Sequence, residues 1–215
     1  MSHLKRESLP KNWPIERKGT AYVVKAKSSG IPILVVLRDL LKIASNRKEV
    51  KQAIQERKVL INNTLVKDDQ KGVDLFDTIS LIPSKKYYRL SLTEKGKLTL
   101  VEIKEAEANR KISKIVNKRI LKGKKVQLNL SDGRNFLTDT KCKTNDSVLI
   151  NFKNKKIEKC LPLQESAKAF VFAGKHAGES GIIEKIKIER QMISLRAKEE
   201  KINVLIKQIM VVEQI

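Results

Sequence analysis

The stretch SNRKEVKQAIQERKVLINNTLV, residues 45–66, decides the fold. Ser45 and Asn46 are helix-capping residues, because a short side-chain oxygen can accept the free N–H groups of a first turn. Behind them Val50, Ala53 and Ile54 recur at helical spacing. Arg47, Lys48, Lys51, Gln52 and Arg57 then fall on the outward side. After Lys58 the pattern becomes that of strands: Val59-Leu60-Ile61, the pair Asn62-Asn63, then Thr64-Leu65-Val66. Two asparagines between apolar runs predict a tight hairpin. Asn enters the left-handed backbone region more readily than most residues, though less readily than glycine. A basic helix running straight into a hairpin is a small α+β unit with one charged face.

The flanks extend this unit. Ile33, Leu34, Leu37, Leu40, Leu41 and Ala44 share a helical face and leave Arg38 and Lys42 on another, which predicts a first helix. Residues 77–82 read as a further strand, and 87–92 with 98–103 flank Thr93-Glu94-Lys95-Gly96-Lys97 as a hairpin. Residues 104–109 have room for a helical turn or two. Val126, Leu128 and Leu130 alternate with Gln127 and Asn129 up to the turn Ser131-Asp132-Gly133-Arg134, and strands at 148–152 and 157–161 follow. From residue 166, short strands at 169–172, 182–188, 192–196, 202–206 and 209–212 predict a small closed barrel. Residues 1–32 hold Pro10, Pro14, Gly19, Gly30 and Pro32 among many charges, without amphipathic period. They read as an extended basic arm, ordered by a partner if at all. Trp13 either inserts between RNA elements or anchors the arm on its own protein, the more usual role. The fold class expected is α+β and multi-domain: a basic extension at 1–32, a small α+β module at 33–92, a mostly β domain at 93–165 and a small barrel at 166–215.

Lys plus Arg number 46 against 24 Asp plus Glu, a net charge of +22 on 215 residues. A compact chain so charged repels itself unless a polyanion is at hand. Nucleic acid is therefore expected as the partner, ahead of a lysine-rich soluble surface or a membrane-surface patch. One Trp, three Tyr and five Phe are too few for base-stacking platforms, which favours folded RNA or duplex held through phosphates and shape. Arg110, Lys111, Lys114, Lys118, Arg119, Lys122, Lys124 and Lys125 are dense enough to read as phosphate contacts rather than a merely solvated strand. Cys142 and Cys160 form no Cys-x-x-Cys pair, and His3 and His176 are the other soft ligands, too few for a zinc site. Both cysteines are expected to be packing residues in a reducing cytoplasm. His176 has no flanking nucleophile, and neither a phosphate-cradling glycine loop nor a dinucleotide fingerprint occurs. An enzyme, a cofactor, a metal and a small-molecule substrate are not expected. The apolar run 31–37 contains Pro32 and stops at Arg38, far short of the roughly 20 residues that cross a bilayer. No signal segment opens the chain, so neither a membrane nor a secreted protein is expected.

Several blocks then follow one another in a specific order: His3-Leu4-Lys5-Arg6 with Pro10-Lys11 and Trp13; Val36-Leu37-Arg38-Asp39-Leu40-Leu41-Lys42 with Ala44; and Gly72-Val73-Asp74-Leu75-Phe76-Asp77-Thr78-Ile79-Ser80. Lys124 with Val126-Gln127-Leu128-Asn129-Leu130 comes next, through Asp132-Gly133-Arg134-Asn135, and last Gly174-Lys175-His176-Ala177-Gly178 with Gly181. Their order, over nearly the whole chain, resembles the small-subunit ribosomal protein S4e family of archaea and eukaryotes, and the last block looks like that family's KOW motif. The resemblance implies an S4-type RNA-binding module at 33–92, a central β domain and a C-terminal KOW-type barrel. It implies a ribonucleoprotein role in the cytoplasm: a structural part of the small ribosomal subunit that binds its rRNA, lies beside neighbouring small-subunit proteins and supports translation.

Arg38, Asp39, Arg47, Gln52, Arg57, Lys58, Val59 and the Asn62-Asn63 turn match the S4-type motif. With Lys42, Lys48 and Lys51 on the helices, Arg110, Lys111, Lys114, Lys118 and Arg119 on the basic stretch, and Lys175 and His176 in the KOW loop, they form the candidate RNA-binding set. Gly174, Gly178 and Gly181 let that loop turn sharply and approach another backbone. Relative to the family the arm is shorter, the turn ends in Asn63 where glycine is usual, and the C-terminus stops early, so a terminal strand extension of the barrel is expected to be missing. Two other readings compete: a free KOW-type regulator of transcription or translation, and an RNA-modifying enzyme such as a pseudouridine synthase, which needs a large catalytic domain with a placed aspartate.

Overall fold

The computed structural model of the chain describes residues 3–122, 125–138, 141–187, 189–197 and 200–213. They fall into two compact units, one of residues 1–93 with 97–109, the other of 94–96 with 110–215.

In the first unit the hairpin and the downstream strands form one antiparallel sheet, in the order Thr64–Leu65, Val59–Ile61, Thr78–Leu81, Lys86–Leu92, Leu98–Ile103. The strand Leu98–Ile103 therefore completes the sheet beside the helices, with Leu90 facing Leu100 and Leu92 facing Leu98. The helix Arg47–Gln55 begins at a reciprocal cap. The Asn46 side chain accepts the Glu49 N–H at 3.0 Å, and the Glu49 carboxylate accepts the Ser45 N–H at 2.7 Å. Its Val50 and Ile54 pack inward. Asn62 and Asn63 both stand at positive φ, 49° and 58°, the geometry a two-residue hairpin loop requires. The first helix is shorter than the expected 33–44. It makes one α-turn at Ile33–Val35 and continues as a π-helical turn at Val36–Leu40, where the Leu41 N–H reaches the Val36 carbonyl at 2.9 Å. Val35 and Val36 are buried together with Ile33, Leu34 and Leu37, an apolar surface wider than one helical stripe.

The N-terminal arm is folded on its own unit, contrary to the extended arm expected. Strands His3–Lys5 and Tyr22–Val24 pair antiparallel, and Leu9, Trp13 and Val23 are buried. The Arg6 guanidinium draws the loop together: its donors reach the Thr20 carbonyl at 2.6 Å, the Glu16 carbonyl at 2.7 Å and the Thr20 hydroxyl at 2.8 Å. Composition hides this order, because much of it depends on one side chain whose five fixed donors gather distant carbonyls beside a small apolar core.

The second unit contains two five-stranded antiparallel sheets. The first runs Asn135–Thr138, Val126–Leu130, Arg110–Ile120, Ser147–Asn151, Lys156–Leu161. Its long strand Arg110–Ile120 pairs with Ser147–Asn151 over its first half and with Val126–Leu130 over its second. The core holds Ile115, Leu128, Leu130, Val148, Ile150 and Cys142, with Cys160 packed against it. Burial pushes the Cys160 thiol up to about 12, so it stays neutral. The second sheet runs Glu200–Leu205, Met192–Ala197, Ser180–Lys187, Lys168–Val171, Ile209–Val211. All five strands expected after residue 166 are present. Ring closure differs from the expectation: among the described residues the two outer strands, Glu200–Leu205 and Ile209–Val211, are joined through the 3-10 turn Ile206–Gln208 and not by a ladder.

Candidate nucleic-acid interface

The helical pair presents its cations in two states. Three are engaged by the protein. Arg38 donates to the adjacent Asp39 carboxylate at 3.1 and 2.8 Å. Arg47 donates to Asp69 at 2.5 Å, a carboxylate only 5% exposed. Lys58 pairs with Glu56, and that hydrogen bond, followed by the one from Gln52, holds the Glu56 carboxyl below its ordinary range. Lys42, Lys48, Lys51 and Arg57 are exposed and have no hydrogen-bonding or ionic side-chain partner among the described residues. They can each neutralise a phosphate without first releasing a carboxylate.

The Asn62-Asn63 turn divides likewise. Asn62 is buried, its carbonyl oxygen accepting the Thr78 N–H at 3.0 Å and its amide donating to Asp77 at 2.7 Å. Its side chain secures the turn to the next strand and is withdrawn from the RNA-binding set. Asn63 is exposed at the tip.

On the basic strand two of the expected contacts are corrected. Lys111 is 3% exposed and its ammonium stands 3.2 Å from Asp132, itself 6% exposed. Lys114 is 4% exposed and donates to the carbonyls of Ile206 and, at 2.9 Å, Ile209. Desolvation lowers the Lys114 ammonium to about 8. Both lysines hold the second unit together and face no solvent. Around them Arg110 pairs with Glu158 at 3.0 Å, Lys118 donates to the Cys142 carbonyl at 3.2 Å, and Arg119 and Lys122 are exposed. Lys124 lies outside the described residues.

In the loop between Lys168–Val171 and Ser180–Lys187, Gly174 and Gly178 stand at φ 93° and 98°, which calls for glycine. Gly181 has a different reason. A Cβ there would lie 2.3 Å from the Arg196 carbonyl oxygen on the neighbouring strand, so its close approach is to the protein's own backbone. His176 turns its Nδ1 toward Glu179 at 3.0 Å, half-buried, while Lys175 is exposed. Glu179 pairs locally, three residues from His176, whereas Asp69 has no local sequence signal that marks it and meets Arg47 only when the chain folds back over 22 positions.

Comparison with known proteins follows the same outline. The family described as Ribosomal family S4e matches residues 84–157, and the S4 domain matches residues 32–79, which include the helical pair and the Asn62-Asn63 turn. The small ribosomal subunit protein eS4 of Methanocella arvoryzae is 40% identical over 195 residues, covering 88% of this chain and 82% of that one. That of Nanoarchaeum equitans is 38% identical over 191 residues, covering 86% and 82%. The crystal structure of the 30S ribosomal protein S4e from Thermoplasma acidophilum superposes with a TM-score of 0.74 at 25% identity, over 85% of this chain and 94% of that one.

Proposed function

The chain belongs to the ribosomal S4e family, and from that premise we propose that it is a non-enzymatic structural component of the small ribosomal subunit, bound to rRNA on the cytoplasmic ribosome. Its S4-type module, its central β domain and a C-terminal KOW-type barrel each offer phosphate-binding cations. The observation that carries this reading is the group of exposed cations, without a side-chain partner among the described residues, on the S4-matched helices and at their ends: Lys42, Lys48, Lys51 and Arg57. Asn63, Arg119 and Lys175 are the further contacts that exposure favours. Such contacts fix position on a folded RNA rather than read its bases.

The test is sedimentation of tagged chain with small subunits through a salt series. The protein is expected to travel stoichiometrically with the subunit and to leave only in high salt, because each phosphate contact releases a counterion. A mostly free protein, or binding indifferent to salt, would overturn the assignment and favour a free regulator.

A further inference from the structure

The helix Arg47–Gln55 and the helical turn Val36–Leu40 each run out into a residue at positive φ. After Arg47–Gln55 the Lys58 N–H donates to the Ala53 carbonyl and the Arg57 N–H to the Ile54 carbonyl, each at 3.0 Å. This crossed pair of bonds places the residue between in the left-handed region, and Arg57 has φ 57°. After the turn Val36–Leu40 the Ile43 N–H donates to the Leu37 carbonyl at 3.0 Å, and Lys42 has φ 53°. Glycine is the usual occupant of that seat, since any Cβ there crowds a neighbouring carbonyl. Elsewhere the chain puts glycine in left-handed turns at Gly96 and Gly133, and lysine at Lys85 and Lys155. At the two helix ends it keeps a lysine and an arginine, and neither side chain has a protein partner among the described residues that would offset the strain. Their backbones, by contrast, are pinned by the helix-stop bonds, so each side chain springs from a fixed root.

We propose that Lys42 and Arg57 are phosphate contacts of the S4-type module, retained in glycine seats at the expense of the free protein's stability. This rests on the RNA-binding reading above and assigns its strained positions a purpose. The competing account is that a cation at a helix C-terminus merely complements the exposed carbonyls, an effect that salt screens.

The experiment uses the full chain with Lys42→Gly, Arg57→Gly and Arg57→Lys. Melting is followed in low salt and in about 1 M salt, where screening acts within about 3 Å. Affinity for a small-subunit rRNA fragment is followed across a salt series. The glycine variants are expected to melt above the parent in high salt. They should bind RNA about three- to tenfold more weakly near 0.1 M salt, with the log–log salt slope shallower by about 0.7–0.9 per lost cation. Arg57→Lys, with its charge in the same strained seat, should keep the parent's affinity and slope. Glycine variants that bind with the parent's affinity and slope, or that melt lower in high salt, would overturn the inference while leaving the ribosomal reading intact. A parent that fails to bind the fragment even in low salt would overturn both.

Discussion

The helix Arg47–Gln55 and the strand Arg110–Ile120 are both studded with cations, yet they use them in opposite ways. On the helix, one stripe holding Val50 and Ile54 is buried, and Arg47, Lys48 and Lys51 remain at the surface. The strand is covered on both faces over its first half. Lys111 and Ile115 point to one side, toward Asp132 and the sheet's core; Lys114 points to the other, toward Ile206 and Ile209. A helix packed on one side leaves charge a way out to water. A strand packed on both sides does not, and its lysines must find a carboxylate or a carbonyl. Charge density alone therefore says little about which cations reach solvent; the number of covered faces decides.

The sharpest way to break this comparison is at Asp132. Asp132→Ala removes the buried carboxylate 3.2 Å from the Lys111 ammonium and is expected to cost about 3–5 kcal/mol, read by denaturant unfolding. The double replacement Lys111→Met with Asp132→Leu should recover most of that loss. A single-variant cost under about 1 kcal/mol would mean that Lys111 is not held by the buried pair.

Lys114 offers a pH test of somewhat smaller size. Its ammonium titrates at about 8 in the folded chain against 10.5 for an ordinary lysine. Between those values the unfolded chain binds a proton that the folded chain does not, so stability rises with pH across that window and the desolvation penalty is present in full below it. Relative to Lys114→Met, which has nothing to titrate there, the parent should gain about 3 kcal/mol at most between pH 7 and 11. A flat difference would show that Lys114 is solvated.

The smallest stability effect belongs to the helix. Lys48→Ala with Lys51→Ala should change stability by less than about 0.5 kcal/mol per site while making the salt dependence of rRNA binding shallower. Arg47→Ala on the same helix should cost about 1–3 kcal/mol, because it leaves the buried Asp69 carboxylate short of its donor. Equal stability losses for all three would erase the distinction between engaged and free cations.

Much of the first unit was legible from residues alone. Asn46, the spacing of Val50 and Ile54, and Asn62-Asn63 are local devices, acting over one to four residues, and each appears as expected. The five strands after residue 166 were legible from alternation for the same reason. The π-helical turn at Val36–Leu40 was not, since an apolar run buried all round carries no stripe to count. Nor was the order in the N-terminal arm, which depends on Arg6 reaching Glu16 and Thr20, ten and fourteen residues away.

By itself the sequence determined where helices and turns begin, that the chain is a polycation, and which residues line one side of a helix. These follow from backbone preferences and spacing, which every short segment carries within it. Beyond local pairs such as Arg38–Asp39 and Lys58–Glu56, tertiary structure decided which cations are available. Arg47 meets Asp69 across 22 positions, and Lys114 meets the Ile206 and Ile209 carbonyls across 92 and 95. A pairing over such distances costs chain entropy that no local pattern records, and it forms only because the packed layers bring those groups together in a place without water.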